Sequence, residues 1–318
     1  MRVAIIATGV MELDGLEDCL GRLFPSHDFE TIPARAGRPG QRAEPFSQSF
    51  TCRQRRGAAS EVPSNLTKVM RDLAGQVYPR RRDAADFSMV IDDLELFNID
   101  QPGVVIDAIR DAARAHLDRL VGHPLERAEL AACLRERVSF HLAVPMTEAW
   151  FFSGGQSLAP NGVPAERRPR LRAGADAEVF ETDDPEYSAD DGTLCAQMAD
   201  RNQRRDERRR APWILTPQRD AAWFTRERHP KAYLEWLCRD PGDNKCTTWR
   251  EADPGAAALR ALDWEAVLSH PSHCGYARAL LDDLADALGE PAPFPQGGVV
   301  APLTARKKAP KAGLLRNV

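Results

Sequence analysis

The sequence lacks several features that would assign it to a common class of protein. Its 318 residues include seven cysteines, scattered without a close pair, which argues against a disulfide framework and for a reducing compartment. No apolar run is long enough to span a membrane, because Glu12 interrupts the apolar start of the chain. We therefore expect a cytoplasmic protein that makes no membrane contact.

Bulk positive charge and known phosphate-binding loops are also missing. The chain has 43 Lys and Arg against 47 Asp and Glu, a formal charge of −4, so any nucleic-acid site must be a local patch. No Gly-rich loop of the P-loop or dinucleotide kind is present, which weakens the reading as a small-molecule phosphotransferase. His270, His273 and Cys274 have no evident fourth zinc ligand, and their spacing favours a helix-initiating loop over a metal site.

Apolar runs of strand length alternate with helical patterns. The runs RVAIIA, FETIPA, FSMVID and VSFHLAV predict strands separated by amphipathic helices. This alternation predicts an α/β fold, with a mostly parallel sheet flanked by helices. The predicted units are an α/β domain (1–153), a long Arg-rich insertion or lid (154–228), a helical C-terminal part packing on the α/β domain (229–290) and a flexible basic tail (291–318).

Acidic residues follow three of the predicted strands. The stretch MVIDDLELFNIDQPG places Asp92 and Asp93 at a strand end, Glu12 follows the first strand, and Glu148 follows the last. Ligands of parallel sheets bind beyond the carboxyl ends of the strands, and carboxylates suit Mg²⁺ or Mn²⁺. We therefore predict metal ligands at Glu12, Asp92 and Asp93, with Glu95 as a further candidate, and catalytic roles for Glu12, Asp92 and Glu148. Two alternatives stay open: Asp92 caps a turn, and Glu148 is an ordinary first-turn helix carboxylate.

Arginines are concentrated in short stretches. The predicted nucleic-acid contacts in these stretches are Arg53, Arg55, Arg56, Arg204, Arg205 and Arg208. The stretch YPRRRD adds Arg80, Arg81 and Arg82, which we expect near the acidic sheet edge. A charge run is more often a solvated helix face. If the three runs converge, however, they could hold a duplex through its phosphates.

Three stretches taken together resemble the TOPRIM-like bacterial family catalogued as domain of unknown function 4276. Asp92 and the Pro102-Gly103 end match the family's turn of Asp, aromatic, leucine and proline-glycine. Glu148 and the following 151–153 match a glutamate-containing segment before a leucine-phenylalanine-serine run. The segment 249–255, which contains Arg250, loosely matches a tyrosine-lysine-glycine patch.

The resemblance covers about 1–153 and 228–288 and leaves the Arg-rich segment uncovered. It implies a TOPRIM-like nuclease or phosphoesterase that depends on Mg²⁺ or Mn²⁺ and acts on nucleic acid, above all DNA. It also implies nucleic-acid contact at Arg250, an ATPase partner and a role in bacterial defence against phage or plasmid DNA; a homo-oligomer is compatible with it.

The sequence departs from the family at ATGVME, where Thr8 stands in place of the leading glutamate. Threonine carries no charge and is a weak magnesium ligand beside a carboxylate. Either Glu12 takes over the role of that glutamate, or the site is degenerate. In the second case the domain binds nucleic acid or regulates a partner protein without cutting.

Overall fold

The fold is built on a sheet of four parallel strands. A computed structural model describes residues 1–39, 41–46, 62, 64–172, 176–190, 225–239, 249–294, 302–303 and 313–318. The strands of this sheet are β1 (Arg2–Ala7), β2 (Asp28–Ile32), β3 (Phe87–Asp93) and β4 (Val138–Ala143). They lie in the order β2-β1-β3-β4, and each neighbouring pair is parallel. This confirms the α/β class and the parallel sheet expected from the sequence.

The central strands are buried on both faces, which is why they read as continuous apolar runs. Successive side chains of a strand point to opposite faces. Ile5 of β1 and Met89 of β3 accordingly belong to one apolar cluster, and Ile6 and Val90 belong to the other. The sheet is therefore the middle layer between two helical layers.

One face is covered by helices from the first half of the chain. Its apolar cluster contains side chains of α2 (Ser64–Val77), α4 (Pro102–Asp118) and α5 (Pro124–Arg137). Helix α4 begins at a proline, as is common at the first helical position, and follows the short helix α3 (Glu95–Asn98). These helices form the connections from β2 to β3 and from β3 to β4.

The other face is covered by α1 (Val10–Leu23) and by helices from the second half of the chain. These are a 3₁₀ helix (Thr147–Phe152), α6 (Pro185–Ala189), α7 (Pro230–Leu237), a π-helix (Glu251–Gly255), α8 (Ala256–Arg260), α9 (Trp264–Val267) and α10 (Gly275–Leu288). Tyr187 of α6 is fully buried in this cluster, so part of the predicted insertion contributes to the core. No helix in the described ranges is long and apolar enough to cross a membrane.

The last residues of the chain pack on the free edge of β4. The backbone N–H of Arg316 donates to the Val138 carbonyl at 2.8 Å. The Asn317 side-chain amide accepts a hydrogen bond from the Phe140 N–H at 3.1 Å and donates one to the Phe140 carbonyl at 2.8 Å. Leu315 is fully buried. Residues 313–318 of the predicted tail therefore supply both backbone partners for an edge strand and apolar contact.

Candidate functional site

Four acidic residues lie at the carboxyl ends of three adjacent strands. Asp92 and Asp93 are the last residues of β3, Glu12 lies in the first turn of α1 after β1, and Glu148 lies in the 3₁₀ helix after β4. Because β3 pairs with β1 on one side and β4 on the other, these strand ends are neighbours. The four residues are 1 to 7% exposed. The structure thus places the predicted acids at the same ends of neighbouring strands, with the side chains of the successive residues Asp92 and Asp93 directed to opposite faces of the sheet.

The buried acids influence one another's ionisation. Burial raises the pKa of Asp93 well above its ordinary value, and the charges of Glu12, Glu148, Glu95 and Asp92 add to the shift. Burial, followed by the charge of Glu148, raises the pKa of Glu12 to about 7. Removing carboxylates from water and placing them beside like charges both disfavour ionisation. The acids at this position therefore resist being ionised at the same time.

Asp93 is held in place by Thr147, the first residue of the 3₁₀ helix. Its Oδ1 accepts hydrogen bonds from the Thr147 backbone N–H at 2.9 Å and from the Thr147 hydroxyl at 3.0 Å. Both bonds are buried. They connect the end of β3 to the helix that carries Glu148, so two acids of the cluster are fixed relative to each other.

A lysine and two glutamates that sequence reasoning missed complete the cluster. Lys231 of α7 places its Nζ 3.5 Å from Glu148 Oε1 and in contact with Glu251 Oε1. Glu235 lies one turn further along α7, and burial raises its pKa to about 7, against the lowering effect of Lys231. The stretch HPKAYLEWLCRD could have indicated Lys231 and Glu235, because it places a Lys and a Glu four residues apart within an otherwise apolar short helix.

The backbone around the site has two notable features. The buried hydroxyl of Thr8 donates to the Ile91 carbonyl at 3.2 Å. Thr8 therefore links β1 to β3. Glu95 has φ of +64°, a left-handed conformation that is uncommon for a residue other than glycine. This strained residue comes two positions after Asp93, and such strain often accompanies functional sites.

Most of the predicted nucleic-acid contacts cannot be compared with the structure. Arg53, Arg55, Arg56, Arg204, Arg205 and Arg208 lie outside the described residues. Arg250 is exposed and directly precedes Glu251, the second partner of Lys231. One predicted basic contact therefore lies at the border of the acidic cluster.

The expected position of Arg80, Arg81 and Arg82 is wrong. These residues precede β3, so they lie at its amino end, whereas the acids lie at its carboxyl end. A strand of seven residues spans about 20 Å. Moreover, Arg80 pairs with Glu129 at 3.0 Å and Arg81 with Asp83 at 2.7 Å. Arg80 and Arg81 are therefore ion-paired at the surface, at the opposite end of β3 from the acids.

The chemistry of the acidic cluster suits a hard cation, although its ligands are not in metal-binding positions. Within the described ranges, no three His, Cys, Asp or Glu side chains have the placement of metal ligands; His270, His273 and Cys274 lie in the turn before α10. The cluster nevertheless supplies the carboxylate oxygens that Mg²⁺ prefers. In addition, the buried Oε2 of Glu148 has no hydrogen-bond partner among the residues that the structure describes.

Comparison of the chain with protein-family models, with curated proteins and with solved structures finds no match.

Proposed function

We propose that the chain is a TOPRIM-like, divalent-metal-dependent nuclease or phosphoesterase that acts on nucleic acid. The observation that carries this proposal is the convergence of Glu12, Asp92, Asp93 and Glu148 at the carboxyl ends of three adjacent strands. TOPRIM-like domains hold magnesium with a glutamate after the first strand and aspartates after a later strand. The pairing of β3 with β1 supports the same use of these residues here.

The proposed roles follow from the position and chemistry of each acid. Glu12, Asp92 and Asp93 would hold Mg²⁺ or Mn²⁺, which would neutralise charge on a phosphodiester and activate water. Thr147 orients Asp93 through its two hydrogen bonds. Glu148 is the candidate general base, because it follows β4 at the same ends of the strands as the other acids and burial raises its pKa.

The substrate and partners proposed for this enzyme come from the resemblance and from the arginines. Exposed Arg250 beside the cluster would contact phosphate, and the Arg-rich runs would extend that contact along DNA. An ATPase partner, a role in defence against phage or plasmid DNA and a cytoplasmic location complete the proposal.

A second candidate function is a catalytically degenerate subunit that binds nucleic acid or regulates a partner. The observation that favours it is the role of Thr8, whose hydroxyl bonds to the Ile91 backbone and supplies no carboxylate. This candidate would keep the fold and the arginines but would not cut.

The deciding experiment compares wild type with Asp92→Asn for Mn²⁺ binding by calorimetry and for cleavage of plasmid and single-stranded DNA. We expect Mn²⁺-dependent cleavage that EDTA abolishes, and we expect Asp92→Asn to keep the fold but lose cleavage and most of its Mn²⁺ affinity, because the amide lacks the charge that offsets the ion. Asp107→Asn is the matched control, since Asp107 is exposed on α4 in an ion pair with Arg110. Cleavage that persists both in EDTA and in Asp92→Asn would refute the metal site. DNA binding without cleavage would favour the degenerate subunit.

A further inference from the structure

A mostly apolar pocket opens beside the 3₁₀ helix (Thr147–Phe152). Its volume of about 440 Å³ lies within the range of about 300 to 1,000 Å³ that is usual for ligand pockets. Its apolar lining includes Phe152, Leu158, Val163, Pro164 and Pro169. Phe152 is the last residue of the helix that carries Glu148. Because a 3₁₀ helix rises about 2 Å per residue, this wall of the pocket lies about 8 Å from Glu148 along the helix.

The walls of the pocket are fixed by contacts with α7. The Phe152 ring stacks on the Tyr233 ring, with centroids 5.7 Å apart. Arg167 also lines the pocket, and its Nη1 donates to the backbone carbonyls of Trp236 and Leu237 at 3.0 Å each. Both contacts connect the pocket lining to a helix of the core, so the pocket is formed without a ligand.

The rim of the pocket carries a positive charge. Arg168 lines the pocket and is exposed. It makes no hydrogen bond or ion pair with any residue in the described ranges, whereas the nearby Arg172 pairs with Glu181 at 2.7 Å. The guanidinium of Arg168 is therefore available to an anion at the mouth of an apolar pocket.

We propose that this pocket holds one unstacked nucleobase of a single strand, with Arg168 on the adjoining phosphate. A ligand that complements the pocket needs an apolar body and a negative charge beside it, and a nucleotide has both. Unstacked bases pack on aromatic and apolar side chains, and arginine binds phosphate. The inference rests on the proposed function, because it assumes that the protein acts on nucleic acid, but it requires no metal ion.

The chemistry of the lining also sets the specificity of the pocket. Apart from its two arginines the lining is apolar, so it offers few groups that could distinguish the edges of different bases. Stacking of this kind tolerates any sequence. A base paired within a duplex must leave its stack before it can enter, which costs free energy. We therefore expect preference for single strands without preference for sequence.

The test measures fluorescence anisotropy of the full chain with a labelled single-stranded 12-mer and with an abasic strand of the same length. EDTA is present, so that neither metal binding nor cleavage contributes. Wild type should bind the intact strand about tenfold or more tightly than the abasic strand, because only the intact strand has bases to stack. A duplex of the same sequence should bind more weakly than the intact single strand.

Two variants fill the pocket without changing its charge. Ala159 and Ala165 line the pocket and are exposed, so Ala159→Leu and Ala165→Leu should each reduce the preference for the intact strand to less than about threefold. Ala128→Leu is the matched control, since Ala128 is exposed on α5 and does not line the pocket. It should keep the wild-type preference. If one filling variant does not fold, the other provides the measurement.

The role of Arg168 is tested by its salt dependence. Arg168→Gln should weaken binding of both strands and reduce the slope of log affinity against log salt by about 0.7, because one phosphate contact is lost. Arg168→Lys keeps the charge and should keep the slope. Arg82→Gln is the matched control, since Arg82 is exposed and precedes β3.

Two results would overturn the inference. One is equal affinity of wild type for the intact and the abasic strand, including the absence of binding to both. The other is a wild-type preference for the intact strand in both Ala159→Leu and Ala165→Leu. The proposed function is judged separately by cleavage in Mn²⁺, so a nuclease that binds intact and abasic strands equally would disprove only the nucleobase pocket.

Discussion

Asp93 Oδ1 accepts two hydrogen bonds from a single residue, Thr147, at 2.9 Å from its backbone nitrogen and 3.0 Å from its hydroxyl. Asp93 ends β3, and Thr147 begins the 3₁₀ helix that carries Glu148. Hydrogen bonds to a buried carboxylate help to offset the loss of its hydration. The pair therefore helps to determine both the stability of this sheet edge and the geometry of the acidic cluster.

We predict that Thr147→Val lowers the free energy of unfolding by about 1 to 3 kcal/mol, because it leaves a buried carboxylate short of one hydrogen bond. Thr147→Ser keeps the hydroxyl and is the control, with an expected loss of less than about 1 kcal/mol. Urea unfolding at pH 7 measures both. Equal losses in the two variants would mean that the threonine methyl group, and not the hydroxyl, provides the stabilisation.

Two glycines of α1 should respond in opposite ways to alanine. A Cβ at Gly15 would lie 3.0 Å from Leu259 Cβ and 3.1 Å from the Ala256 carbonyl oxygen, whereas a Cβ at Gly21 would have no atom within 4 Å. Alanine is favoured over glycine in a helix by about 0.5 to 1 kcal/mol. We therefore expect Gly21→Ala to stabilise the protein by this amount, and we expect Gly15→Ala to lose the gain because it separates α1 from α8.

Thermal and urea unfolding of the two variants measure this difference. Gly15→Val should be more destabilising than Gly15→Ala, because a larger side chain must displace α8 further. If Gly15→Ala and Gly21→Ala were equally stable, the close packing of α1 on α8 would not contribute to stability.

The position of the acids at the carboxyl ends of the strands could be predicted from the sequence. The apolar pattern of a buried strand and the acid that follows it both lie within one short stretch. A buried parallel strand reads as a continuous apolar run, as in FSMVID, and an acid directly after it lies at the ligand-binding edge. Asp92, Asp93, Glu12 and Glu148 each follow such a run. Their convergence required only that the three strands be neighbours, which the order β2-β1-β3-β4 provides.

The partners from the second half of the chain could not be predicted in this way. Lys231 contacts Glu148 although the two residues are far apart in the sequence. A local pattern of apolar residues predicts a helix but does not show which distant helix it contacts. The error at Arg80, Arg81 and Arg82 has a related cause. A basic run near a strand in sequence can lie at either end of that strand, and here it precedes β3 and so lies away from the acids.

His229 provides a pH-dependent contribution to stability close to the site. Its Nδ1 accepts a hydrogen bond from the Ala232 backbone N–H at 3.2 Å and caps α7. Burial, followed by the charge of Lys231, lowers the pKa of His229 from 6.5 to about 3. Protonation would add a charge in a buried position and would also remove the acceptor of the cap.

We predict that His229 lowers the stability of the protein as the pH falls. Below about pH 6.5 the unfolded chain binds a proton at this histidine and the folded chain does not, so its contribution is complete above pH 6.5 and is lost as the pH falls toward 3, by up to about 1.4 kcal/mol per pH unit. His229→Asn keeps a capping acceptor without this titration, so its unfolding free energy should fall less steeply between pH 6.5 and 4.5. Urea unfolding of both proteins across that range is the measurement, and taking the difference between them removes the titration of the other acids. Parallel curves for the two proteins would show that His229 is protonated in the folded protein as readily as in the unfolded chain.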